Sequence, residues 1–221
     1  MEVEPTTAET TRRRRNPEAT REEILAAART VLASDGLDGL SLSKVAHLAG
    51  VNRGTAYQHF ETREDLVKAT VEGVSEYLVR TVFGHDHDDQ GPRDPAQFPV
   101  FEVISGLVDF AVENPELGRI WLFETLASDN PGEDIFFKRF KEATEELSGS
   151  DYSEPGIDAE AHSVMMLAGC FLWPVWVKAQ ARTRKERDEM SRRMRREILR
   201  LSLHGTLRAT EFPQLEKLLE S

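Results

Sequence analysis

Gly50 stands between two short apolar segments, and the spacing around it constrains the fold more tightly than any other feature of the chain. On its N-terminal side, Ser41 is placed to cap a short helix that turns Leu42, Val45, Ala46 and Ala49 inward. On its C-terminal side, a second helix begins at Asn52 or Arg53 and closes at Phe60, with Val51, Ala56 and Phe60 directed back to the core. Three or four residues separate the two. Ala46 is small where the helices must approach, and glycine at position 50 takes a positive φ at little steric cost. The other side of the second helix carries Arg53, Thr55, Gln58 and His59, all hydrogen-bonding, with Tyr57 on the flank.

Helical periodicity continues on both sides of this pair. Upstream, Asn16-Pro17 and Thr20-Arg21-Glu22-Glu23 are alternative helix starts, and both lead into Ile24, Ala28, Val31 and Leu32 on one face. Asp35-Gly36 stops that helix. Downstream, Thr62-Arg63-Glu64-Asp65 opens a helix carrying Leu66, Val67, Val71, Val74 and Leu78, which fades by Gly84. The polar stretch 84–96 reads as a loop, its His85-Asp86-His87-Asp88-Asp89 solvated rather than closed into a metal shell. Further helices are expected at about 97–113, 115–128, 132–148, 157–183 and 186–208. No alternating strand pattern is seen, so the fold class is all-α: a three-helix unit over 16–62, then a larger helical domain over 63–221 that opens with a connecting helix, 63–83. Residues 1–15 read as a disordered arm ending in four arginines.

A polar outer face on the second of two helices joined by a tight turn suits the major groove of DNA, where long polar tips reach base edges and flanking groups reach phosphates. The pattern by itself also describes two small packed helices with a solvated face. The run Val45-Ala46-His47-Leu48-Ala49-Gly50-Val51-Asn52-Arg53-Gly54-Thr55-Ala56-Tyr57-Gln58-His59-Phe60 goes further, with Ile24, Ala27 and Ala28 upstream and Thr62-Arg63-Glu64-Asp65-Leu66 downstream. Across residues 20–66 the chain resembles the DNA-binding domain of the tetracycline-repressor (TetR) family of regulators. It departs from the family pattern at Asn52 (Ser or Thr is usual), at Ala56 (a larger aliphatic) and at Arg63 (a lysine that touches phosphate).

The resemblance implies that Arg53, Gly54 and Thr55 lie against bases or backbone and that Tyr57 and His59 contact phosphates. Ser41, Ser43 and Lys44 would meet phosphates from the start of the preceding helix, and Arg63 from the start of the fourth. It also implies a homodimer on an inverted-repeat, double-stranded operator, repressing until a small-molecule effector releases it. Binding DNA without a ligand, as repressor or activator, is the alternative. An enzyme is not expected, since the chain has no Gly-x-Ser-x-Gly, no phosphate loop and no His-Glu-x-x-His.

Charge is distributed in keeping with a DNA reader: residues 11–60 hold eight basic side chains against five acidic ones, in a chain of net charge −11. The lone cysteine, Cys170, fits a reducing cytoplasm, and the acidic, polar start shows no secretory signal. The longest apolar stretch, 163–177, contains Pro174 and falls short of the roughly 18 residues that a membrane span needs. No cofactor, metal or membrane partner is expected. The second half is rich in aromatic and methionine side chains, most of them core. A subset beside Pro174, namely Phe110, Trp121, Met166, Cys170 and Trp173, is the expected effector pocket, with His162 or Glu124 orienting the ligand. The last helix is apolar on more than one side, as if a partner covered it.

Overall fold

A computed structural model describes residues 16–84 and 100–212, and among them lie nine α-helices and no strand beyond one isolated bridge between Ser153 and Leu207. The arginine arm, the His/Asp loop after Gly84 and the expected helix start at 97 lie outside the described residues.

The first helix, α1 (Pro17–Gly39), takes the Asn16-Pro17 start: the Asn16 side chain accepts from the Glu18 N–H at 3.1 Å. Helical geometry is interrupted at Gly36 (φ 68°), where the sequence signalled a stop, and a last turn follows to Gly39. Then come α2 (Leu42–Leu48), α3 (Arg53–His59) and α4 (Arg63–Phe83), the last held by a complete capping box between Thr62 and Asp65.

The body comprises α5 (Val100–Glu113), α6 (Pro115–Ala127), α7 (Ile135–Ser148), α8 (Ala159–Gln180) and α9 (Arg184–Gly205). Three expected helices change their bounds. The helix expected from 132 begins at Ile135, since Asp134 accepts from the Phe137 N–H at 2.9 Å and Pro131–Glu133 forms a single 3-10 turn. The helix expected over 157–183 is capped by Asp158 and ends at Gln180. The last helix starts two residues early because Thr183 and Glu186 close a second capping box.

Helix α4 packs on α1 at one end and on α5, α6 and α7 along its length, and α6 also touches α1. A single apolar cluster therefore runs from Ile24 to Phe212, with no break in packing at residue 62. Helix α8 continues through Pro174, so the apolar element is longer than the 163–177 stretch suggested. It is the one described helix long and apolar enough to cross a membrane, and only 28% of its most apolar 18-residue window is buried. The expectation of too short a span is corrected on that point. Val164, Met165, Leu172, Val175 and Trp176 are its exposed apolar residues, at spacings that share one side of the helix.

Candidate nucleic-acid interface

The α2–α3 pair is built from its buried side. Val45, Ala46, Ala56 and Phe60 are all within 3% of fully buried, and the chain turns between them at Gly50, φ 66°. Asn52 caps α3 by accepting from the Thr55 N–H at 2.7 Å, and Ser41 caps α2 by accepting from the Lys44 N–H at 3.2 Å. The guanidinium of Arg21 lies 4.5 Å from the centre of the Phe60 ring, so α1 covers the end of α3.

With Ala56 turned inward, α3 presents Arg53, Gly54, Tyr57 and Gln58 to solvent, while Thr55 and His59 are half-buried at its margins. Arg53 and Tyr57 act together: the guanidinium donates to the phenol oxygen at 3.3 Å and sits 5.3 Å from the ring centre. That contact orders two long side chains on the exposed face and leaves the other Arg53 N–H groups and the Tyr57 proton free to donate. Ser41, Ser43 and Lys44 are exposed beside them on α2. The Ser41 hydroxyl accepts as a cap and still has a proton to give.

Two of the expected phosphate contacts are occupied within the chain. Lys44 Nζ lies 2.6 Å from Asp35 Oδ2, and this hydrogen bond holds the Asp35 carboxyl below the usual carboxylate range. Arg63 is turned inward: Nε donates to the Leu40 carbonyl at 3.0 Å and Nη2 to the Leu37 carbonyl at 2.5 Å. It ties the end of α1 to the start of α4 and so fixes the strand of chain that delivers α2. Spacing could not reveal this, because the carbonyls it meets are 23 and 26 residues away. Gln58 and His47, both exposed, join the same surface. Gln58 was already read on the outer face of α3, four residues after Gly54, though without an assigned contact.

The expected effector cluster is not one site. Phe110, Trp121 and Cys170 are buried in an aromatic core, where the Trp121 ring meets Phe171 at 4.8 Å and Phe136 at 5.6 Å. Trp121 Nε1 donates to Asp134 Oδ1 at 2.9 Å, and Ser75 of α4 donates to the other oxygen of that carboxylate at 2.5 Å. Burial pushes the Cys170 thiol up to about 12. Trp173 faces another way, donating to the Met190 carbonyl of α9 at 3.1 Å beneath the Arg193 guanidinium. Trp121 lines a cleft of about 240 Å³ with Ser75, Glu124 and Asp134, whereas Met166 lines a separate apolar pocket of about 60 Å³, which it shares with Val103, Ile104, Phe140, Leu147 and His162. These side chains come from α5, α7 and α8, and α9 closes the pocket through Ser202. Glu124 is not among its lining residues.

A helix-turn-helix head carried on a helical body is an arrangement found in a class of DNA-reading proteins, and comparison with known proteins finds likenesses to both parts. Residues 24–70 match the family described as bacterial regulatory proteins, tetR family. The chain is 33% identical over 69 residues to YvdT of Bacillus subtilis (strain 168), an uncharacterised HTH-type transcriptional regulator, covering 31% of this chain and 36% of that one. It thus spans about a third of the length of the curated relatives it matches. The fold as a whole is similar to the crystal structure of a gamma-butyrolactone receptor (ArpA-like protein), with TM-score 0.64 at 20% identity over 92% of this chain and 96% of that one. It is also similar to NalD, the secondary repressor of the MexAB-OprM multidrug efflux pump in Pseudomonas aeruginosa, with TM-score 0.58 at 22% identity over 87% and 99% of the two chains. Residues 24–70 thus match the N-terminal domain of the tetR family of bacterial regulatory proteins, and the fold of the chain as a whole is similar to that of solved tetR-family regulators.

Proposed function

We propose that this protein is a homodimeric transcription regulator that binds an inverted-repeat operator through α3 and is released from it by a small apolar molecule. One observation carries the reading. Helix α3 is anchored by Ala56 and Phe60, and turns a preordered Arg53–Tyr57 pair outward with Gly54, Gln58, Thr55 and His59 around it. Such a face reads base edges while Ser41, Ser43 and the Tyr57 hydroxyl hold phosphates. The units proposed are a DNA-binding head over 16–62 and an effector and dimer body from residue 63, with the cytoplasm, where the DNA lies, as the working compartment.

Dimerisation is supported by the uncovered side of α8. Met165 is 73% exposed and Val175 60%, and Leu201 on α9 is 57% exposed. A second copy of the chain, applied about a two-fold axis, buries these residues and sets two α3 helices facing successive major grooves, roughly 34–36 Å apart. The role is non-enzymatic, and among the described residues no group of three metal-ligating side chains occurs. A ligand-independent regulator is the second reading, favoured by how little space the apolar pocket leaves.

Selection from random duplex DNA with the full chain tests the proposal. The expected product is an inverted repeat bound by a dimer, as light scattering reads it. Arg53→Ala and Tyr57→Ala should each cost about 1–3 kcal/mol of specific binding while the dimer stays folded. Recovery of no common sequence, or unchanged affinity in both variants, overturns it.

A further inference from the structure

The pocket between α5, α7, α8 and α9 is mostly apolar, with the hydroxyls of Thr144, Ser202 and Thr206 and one imidazole in its lining. His162 lines it, and the Nδ1 atom of that imidazole is buried without a hydrogen-bond partner. Thr144 also lines the pocket but is satisfied, its hydroxyl donating to the Phe140 carbonyl at 3.0 Å. A buried polar atom left unpaired is costly, and a ligand that pairs with it recovers that cost on binding.

We infer that His162 is the polar anchor of this pocket and that the pocket takes a compact, neutral molecule whose apolar body carries a hydroxyl group. The inference rests on the ligand-released reading above and names the ligand class for it. Charge decides against an ion: no Lys, Arg, Asp or Glu lines the pocket, so a carboxylate or ammonium would enter without a partner. Burial lowers the pKa of His162, so at neutral pH the ring is uncharged and carries one N–H and one bare nitrogen. A hydroxyl both donates and accepts, so it satisfies Nδ1 in either tautomer. A carbonyl or an ether satisfies only one.

Size sets the rest of the class. The pocket, of about 60 Å³, is small, so a molecule of a few heavy atoms fills it unaided. Met166, on the same helix one turn after His162, has an unbranched and adaptable side chain that yields to a somewhat larger body. Polar anchor and movable wall thus sit four residues apart on α8, so both respond to one ligand.

The full-length protein is tested with two probes, xenon as a purely apolar filler and the larger 2-butanol as the hydroxyl-bearing one. Their binding is followed by xenon NMR and by the imidazole 15N signals. Both probes should enter the wild type, and only 2-butanol should shift one imidazole pair, a pair missing from His162→Phe. In a folded His162→Phe variant xenon should still bind, while 2-butanol weakens about tenfold, the loss of one buried hydrogen bond. His162→Gln, which keeps a donor and an acceptor, should recover part of that loss. If 2-butanol binds equally well to His162→Phe, or shifts no imidazole while xenon enters, the anchor is wrong and the pocket stands. If neither probe enters the wild type, anchor and pocket both fall, while operator binding through α3 remains separately measurable.

Discussion

The head of this molecule, α1 to α3, and its body, α5 to α9, are made of the same kind of element and are held together by different physics. In the head, each helix end is stated by a residue within three positions of it: Asn16, Ser41 and Asn52 accept from nearby N–H groups, and Gly50 takes the turn. In the body, the decisive contacts join residues far apart in the chain. Asp134 of the α6–α7 connection holds Trp121 of α6 and Ser75 of α4, the latter 59 residues away, and Arg195 of α9 grips both oxygens of Asp109 on α5 at 2.6 Å. Local signals specify a shape; long-range packing specifies a cavity.

The largest effect that would break this contrast is expected in the body. Trp121 and Trp176 look alike in the sequence, yet Trp121 is 3% exposed and Trp176 51%. Trp121→Ala removes a ring packed on Phe171 and Phe136 and takes one of its three donors from the Asp134 carboxylate, and should cost about 3–5 kcal/mol of unfolding free energy in denaturant titration. Trp176→Ala should leave the fold intact and weaken self-association, as sedimentation reads it. Equal loss of stability in the two variants would mean that the aromatic core is not where the body is held.

Arg63 offers the next test, at the junction of the two regions. Its guanidinium spans the carbonyls of Leu37 and Leu40, so Arg63→Lys keeps the charge and loses the two-point tie. A loss of about 1–3 kcal/mol is expected from thermal melts, in line with charged hydrogen bonds to backbone. Operator affinity should fall with it, but the slope of log affinity against log salt should not change. A phosphate contact predicts the reverse for Arg63→Ala: little change in melting and a slope smaller by about one.

These two sites also show how far the sequence could be read. The order and type of every described helix were legible, because apolar spacing and caps are local. The α3 face was legible for the same reason in the outward Arg53 and Gln58 and the inward Ala56, whereas Thr55 and His59, read as outward, are half-buried and Tyr57, read on the flank, is exposed. The Arg63 tie and the effector pocket were not. Aromatic residues near Pro174 pointed to a cavity, but only their neighbours from other helices decide whether rings enclose space or fill it, and Phe171 and Phe136 fill it. Gly118 makes the same point. In sequence it is a weak helix residue, whereas in the fold Phe171 Cδ1 lies 2.8 Å from where its Cβ would be.

A smaller effect belongs to the head. Asn52→Ala removes the cap of a seven-residue helix and should cost about 1 kcal/mol, with faster amide exchange confined to α3. Asn52→Ser, restoring a capping oxygen, should recover most of it. If both variants exchange like the wild type, α3 is held by Ala56 and Phe60 alone, and the local signal was incidental.

The smallest expected effect lies in the pocket and depends on pH. Burial is the cause of the lowered pKa of His162, and no other titratable side chain lines the pocket among the described residues. Below the ordinary histidine value of about 6.5, the unfolded chain takes up a proton that the folded chain resists. Stability from this group is therefore fully present above that pH and is lost as the pH falls toward the lowered folded value. The loss is modest, because the residue is only half-buried and water reaches part of it. Melting temperatures of the wild type and of His162→Phe, measured from pH 7.5 down to pH 5, isolate it: the wild type should fall more steeply, and the two curves should run parallel above pH 7. A hydroxyl-bearing probe that occupies the pocket should steepen the wild-type slope further, since it holds the imidazole in the neutral form. If the two curves run parallel throughout, His162 is solvated in the folded protein, and the head remains the only region whose chemistry its local sequence declares.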